Sequence, residues 1–208
     1  MTKVKICGLR RLEDVDAANR AVPDFVGFVF AESRRRVDVA LAATFRERLD
    51  SRIASVGVFV NQDVEFVAAL CRDGVISLAQ LHGDEDGEAI RRLRERCGCE
   101  VIKTVGICDG GGVGVLPALP LGAEYLLFDT ASAARGGAGR AFDWRVLAGY
   151  QGPPYFLAGG LTAANVAEAI RTLAPFAVDV SSGVETDGVK DAEKIERFVH
   201  SVRVAAQP

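Results

Sequence analysis

The chain is expected to fold as a single-domain α/β protein, a closed (β/α)8 TIM barrel occupying residues 1–208. Three observations predict it. Apolar, strand-length runs alternate with segments of helical spacing from one end to the other. Eight such runs occur in one uninterrupted pass. Six of the eight deliver polar or glycine residues at one end, where a barrel places its chemistry. An open doubly wound sheet is the rival, but Cys7-Gly8-Leu9-Arg10 stands where such a sheet would carry Gly-x-Gly-x-x-Gly.

The elements follow in order. Val4–Cys7 alternates β-branched Val4 and Ile6 with Lys3, Lys5 and Cys7, and ends in a thiol and a glycine. Further strands are predicted at 25–30, 55–60, 75–81, 101–105, 125–129, 155–158 and 177–180, several of them nearly all apolar, as strands covered on both faces are. Val64, Val67, Ala68 and Cys71 fall at i, i+3, i+4, i+7, as do Ile195, Phe198, Val199 and Val202 in the last segment. Ile90, Leu93 and Cys97 form a similar stripe, with the arginines between them facing water. Thr162 reads as the N-cap of the helix after the seventh strand. Gly110-Gly111-Gly112, Pro117 and Pro120 leave room for only a short helix after the fifth strand, as does the stretch after Trp144.

Composition narrows the function. A hydrophobic fraction of 49% with 25% charged residues is ordinary for a globular domain, and 208 residues suffice for one sizeable core. A net charge of −3 argues against a general nucleic-acid or anionic-membrane binder. The N-terminus reads as a charged strand and not a leader peptide, and no apolar run approaches the roughly 18 residues that span a bilayer. Five cysteines, odd in number and without framework spacing, predict reduced thiols and a cytoplasmic location. Cys97-Gly98-Cys99 resembles half a metal site, but neither histidine lies near it in sequence and structural zinc takes four ligands, so no metal is expected.

At the strand ends, Gly159-Gly160 and Ser181-Ser182-Gly183 suggest a phosphate site, because glycines let backbone N–H groups converge on an anion and serines add hydroxyl donors. Gly136-Gly137-Ala138-Gly139-Arg140 is either a closing loop or an ordinary connection. Among Arg34, Arg35 and Arg36, one is a candidate for bidentate capture of a substrate carboxylate, against the reading of a solvated charge run. Gln80 and His82 either line the pocket or are satisfied structural residues. Asp179 either bonds substrate hydroxyls or pairs with a buried base such as Lys5. Strand alternation aims both Cys7 and Asp129 inward, a thiol and a carboxylic acid suited to acid–base isomerisation. Against this stand a small apolar filler for Cys7 and a turn residue for Asp129.

These pieces together resemble the phosphoribosylanthranilate isomerase family. The resemblance covers essentially the whole chain and rests on Lys5-Ile6-Cys7-Gly8-Leu9, Gly27-Phe28-Val29-Phe30, Val58-Phe59-Val60-Asn61, Gln80-Leu81-His82-Gly83, the stretch Gly136 to Trp144, Leu157-Ala158-Gly159-Gly160-Leu161 and Asp179-Val180-Ser181-Ser182-Gly183-Val184-Glu185. It implies a (β/α)8 barrel of tryptophan biosynthesis acting on a phosphorylated aminosugar without a cofactor. It further implies Cys7 as general base and Asp129 as general acid, and it aligns Arg35 with the family's arginine. Beside these, the strand-end positions offer Arg35, Gln80, His82 and Asp179 as candidate substrate-binding residues and Gly159, Gly160, Ser181, Ser182 and Gly183 as the candidate phosphate cradle. Two departures stand out: Ser33-Arg34-Arg35 where the family often has Ser-Pro-Arg, and Ala138 where threonine is frequent. The histidine-pathway isomerases and their dual-specificity relatives resemble barrels with an aspartate at the first strand's end, which Cys7 contradicts. A non-catalytic sugar-phosphate binder has no use for Cys7 and Asp129 together. Subunit number, monomer or homodimer, stays open.

Overall fold

The computed structural model describes residues 1–107, 122–130 and 143–206. Eight parallel strands close into a barrel in sequence order: β1 (Lys3–Cys7), β2 (Phe25–Val29), β3 (Ala54–Phe59), β4 (Leu78–Leu81), β5 (Glu100–Ile107), β6 (Tyr125–Thr130), β7 (Tyr155–Leu157) and β8 (Ala177–Val180). Closure comes from β8 pairing with β1, with Lys5 opposite Asp179. Around it run α1 (Leu12–Ala21), α2 (Val39–Arg48), α3 (Val64–Arg72), α4 (Gly87–Cys97), α5 (Val166–Leu173) and α6 (Ala192–Ala205). A short 3-10 turn at Trp144–Leu147 precedes β7, and a small hairpin of β9 (Glu185–Thr186) and β10 (Val189–Lys190) follows β8. Cys108, the 110–112 glycines, Pro117, Pro120 and the glycine stretch 136–140 lie outside the described residues.

The helices form where the apolar stripes require them. Ile195, Phe198, Val199 and Val202 of α6 are all buried, as are Ile90 and Leu93 of α4, while Arg91, Arg92, Arg94 and Arg96 face water. Aspartates start four helices: Asp38, Asp63, Asp86 and Asp191 each accept a backbone N–H of the first turn.

Two expected boundaries move. The fourth strand begins at Leu78, not Val75, because the Val75 and Ile76 N–H groups both donate to the Leu70 carbonyl (3.0 and 3.3 Å), closing α3 through Gly74 at φ 70°. Those apolar residues are buried as a helix clasp and not as a strand. The seventh helix unit starts at Val166, not after Thr162. Asn165 Oδ1 accepts from the Thr162 N–H (2.8 Å), so Thr162 opens a turn ahead of the helix instead of capping it.

Two apolar layers result. Outward-facing Val4, Ile6, Val26, Phe28, Phe128 and Leu157 pack beneath the helices, and inward-facing Phe25, Val56, Leu78, Ile102, Leu127, Phe156 and Ala177 fill the lower barrel. Above that floor the inward positions of β1, β4, β5, β6 and β8 turn polar, with Lys5, Gln80 and Asp179, then Cys7, His82, Thr104 and Asp129, while β2 and β3 stay apolar through Val29 and Val58. This change on five strands is what makes one end of the barrel a site.

Candidate active site

Cys7 ends β1, opposite Gly27 of β2. A side chain on Gly27 would place its Cβ 2.8 Å from Cys7 Sγ, so this glycine is the space the sulfur occupies. Lys5, one inward position below, is fully buried and donates to Asp179 Oδ2 at 3.0 Å. Burial opposes the ammonium, but Asp179 and Cys7 hold its pKa above the ordinary value. The Cys7 thiol is pushed up by burial and by Asp179, while Lys5 and Lys190 pull it down. Of the two readings of Asp179, pairing with Lys5 describes one oxygen. The other, Oδ1, is buried with no hydrogen-bond partner among the described residues.

Asp129 faces inward from the end of β6, where burial and the neighbouring Asp179 charge raise its pKa to about 6. Oδ1 accepts from the Thr130 N–H at 2.8 Å. Across the mouth, Gln80 Nε2 and Thr104 Oγ1 lie 3.2 and 3.1 Å from His82 Nδ1. An amide donor makes that nitrogen an acceptor and puts the imidazole proton on Nε2. Burial and the Lys5 charge depress His82 to about 4, so it is neutral at physiological pH. Gln80 Oε1 is a second buried acceptor with no partner among the described residues.

The arginine run separates cleanly. Arg36 pairs with Glu32 at the surface, and Arg34 is mostly exposed. Arg35 lies over Gly8, where a Cβ would come 2.5 Å from its Cδ, and forks onto Glu185 (2.7 and 3.0 Å). Glu185 is the residue the motif reading undervalued. It also accepts from Lys190 at 2.9 Å and from Arg34 at 3.0 Å, with 5% of its side chain exposed. Its signal in the sequence is its place at the end of the stretch Asp179 to Glu185, next to the serine loop.

The two glycine-bearing loops meet. Gly159 and Gly160 take φ 85° and 63°, and a Cβ on Gly159 would come 2.5 Å from Thr130 Oγ1. Gly183 packs on the Leu161 carbonyl so closely that no side chain fits there. Ser181 is committed within the fold: its hydroxyl donates to the Cys7 carbonyl at 3.0 Å and accepts from Lys190 at 3.3 Å, tying β8 to β1. Ser182 opens the short 3-10 turn Ser182–Val184.

A closed α/β barrel that gathers a thiol, a buried carboxyl and two glycine-bearing loops at the carboxyl ends of its strands has the layout of a barrel enzyme. Comparison with known proteins specifies it. Residues 4–201 match the family model described as N-(5'phosphoribosyl)anthranilate (PRA) isomerase. N-(5'-phosphoribosyl)anthranilate isomerases of Endomicrobium trichonymphae and Clostridium acetobutylicum are 48% and 44% identical, covering 98% of this chain and 99% and 98% of theirs. The crystal structure of the Thermotoga maritima phosphoribosyl anthranilate isomerase superposes with a TM-score of 0.83 at 35% identity, covering 98% of this chain and all of that one (100%). A phosphoribosyl anthranilate isomerase in complex with reduced 1-(o-carboxyphenylamino)-1-deoxyribulose 5-phosphate superposes at 0.81, with 33% identity and coverage of 98% and 100%. The chain belongs to the N-(5'-phosphoribosyl)anthranilate isomerase family, aldose–ketose isomerases of tryptophan biosynthesis. No described helix is long and apolar enough to cross a membrane.

Proposed function

We propose that this chain converts N-(5-phosphoribosyl)anthranilate to 1-(2-carboxyphenylamino)-1-deoxyribulose 5-phosphate by an Amadori rearrangement in which Asp129 is the general acid and Cys7 the general base. The observation that carries the assignment is the carboxyl of Asp129, raised to about 6 by burial and Asp179 at the inward end of β6. Asp129 protonates the ribose ring oxygen as the anilino nitrogen's lone pair expels it, opening the ring to an iminium. The Cys7 thiolate then removes the proton from C2, which the adjacent iminium acidifies, and the resulting enolamine tautomerises to the ketone. Lys5 supports the thiolate by charge from one inward position below.

In this reading the orphan acceptors Asp179 Oδ1 and Gln80 Oε1 receive hydroxyl or amine protons of the substrate, and His82 presents its Nε2–H. The backbone N–H groups of Gly159, Gly160, Ser182 and Gly183 cradle the phosphate. Ser181 positions that cradle through its bond to the Cys7 carbonyl. Arg35 meets the anthranilate carboxylate through N–H donors not spent on Glu185. Because the sulfur must stay a free thiol to act, a reducing cytoplasm suits the reaction.

Substrate-loss assays on Cys7→Ser and Asp129→Asn test the roles. Each is expected to lower kcat/KM by at least roughly 10²-fold with the fold intact by circular dichroism. Near-normal turnover in either variant overturns the assignment.

A further inference from the structure

At the opposite end of the barrel from the mouth, three thiols converge. Cys71 lies in the last turn of α3, Cys97 closes α4, and Cys99 immediately precedes β5, with all three sulfurs within 4.8 Å of one another. Cys97 and Cys99 stand 3.4 Å apart, and the intervening Gly98 takes φ 66°, which turns both side chains to one side as helix gives way to strand. The third thiol arrives from a different helix, through the packing of α3 on α4. All three are free cysteines, with Cys71 and Cys97 partly exposed and Cys99 the most buried, so the group is formed by the fold and reached past the first two.

We propose that Cys71, Cys97 and Cys99 form a binding site for a thiophilic d10 cation, Zn(II) or Cu(I). A metal–thiolate bond of about 2.3 Å sets the sulfurs of a tetrahedral or trigonal site about 3.8–4.0 Å apart. The observed separations, from 3.4 Å to no more than 4.8 Å, bracket that value, so sub-ångström side-chain movement completes the geometry. Three sulfur donors with no oxygen donor select soft ions over magnesium or calcium. Cu(I) is satisfied by three thiolates, whereas Zn(II) takes a water as its fourth ligand. Arg72, on the same turn as Cys71, reaches across to the Arg96 carbonyl (3.4 Å) and so joins the ends of α3 and α4 that carry two of the thiols. Barrels carry stability at this end and catalysis at the other, so the ion would pin α3, α4 and β5 together without entering the reaction.

The test uses the full chain, reduced and anaerobic, in two arms: Zn(II) titrated against a chromophoric zinc chelator, and Cu(I) against a Cu(I)-specific one. One equivalent is expected to bind in at least one arm, raising Tm and leaving turnover within about twofold, the scale of a change remote from the chemistry. Cys71→Ser and Cys99→Ser, on different elements, are each expected to weaken binding at least roughly tenfold, while Cys7→Ser leaves it unchanged. Zinc alone marks the tetrahedral form, copper alone the trigonal one. No stoichiometric binding in either arm, or equal affinity in the cluster variants, overturns the proposal.

Discussion

At the scale of single residues, the site is a set of charges arranged to keep two protons in unusual places. Burial pushes Cys7 above the ordinary thiol value and holds Asp129 at about 6, so the productive pair, protonated carboxyl with ionised sulfur, is a minority tautomer of a singly protonated site. The fraction in that form is flat between the two pKa values and falls once a second proton is added. A decline of kcat/KM below about pH 6 is therefore expected. Asp179 repels negative charge on both groups, so Asp179→Asn is expected to lower both pKa values and move the acid limb of the profile to lower pH. A limb unmoved from about 6 in that variant contradicts the coupling. Strand alternation made the inward direction of Cys7 and Asp129 readable from sequence, because a period of two says which side chains share a face, and Asp179 was readable as the polar end of an apolar strand. Glu185 and the third thiol were not readable in that way, since their meaning depends on partners far away in the chain.

At the scale of elements, the turn after β8 and the β9–β10 hairpin hold the loop of β2 through one carboxylate. Glu185 binds Arg34, Arg35 and Lys190 together, and although burial opposes its charge, the hydrogen bonds from Arg35 and Lys190 bring its pKa down to about 2. A depressed carboxyl contributes stability that is complete above the unfolded value of about 4.3 and is lost as pH falls through the folded value. Glu185→Gln is accordingly expected to cost about 2–3 kcal/mol at pH 7, with the gap to the parent protein narrowing between about pH 4.5 and 2. Urea unfolding at pH 7 and pH 3 measures both, and a gap independent of pH refutes the account. The eight strands were legible at this scale because buried parallel strands are apolar runs with punctuated ends. Where apolar character serves something else, the reading slipped: Val75 and Ile76 close a helix, and Thr162 begins a turn whose cap is Asn165.

For the whole molecule, the barrel separates what holds it together from what it does. The lower interior is a dry layer in which Phe156, fully buried, meets Phe25, Tyr125 and Phe176 with ring centroids 5.4, 5.7 and 5.6 Å away. The upper interior carries the buried Lys5–Asp179 pair and the orphan acceptors, an arrangement that is poor for stability and useful for binding. Two substitutions on adjacent strands separate these roles. Phe156→Ala opens a cavity in the floor and is expected to lower stability by about 3–5 kcal/mol while kcat stays within about twofold. Asp129→Asn acts in the opposite sense. A carboxyl held at about 6 when folded and about 3.9 when unfolded opposes folding once ionised. The amide is therefore expected to leave the protein at least as stable as the parent at pH 7, the difference vanishing as pH falls below about 4, even as turnover drops roughly 10²-fold. Parallel urea titrations and rate measurements on the two proteins decide the matter. If Phe156→Ala lost activity in proportion to stability, or Asp129→Asn lost stability along with activity, the two ends of the barrel would be one cooperative unit and the division drawn here would fail.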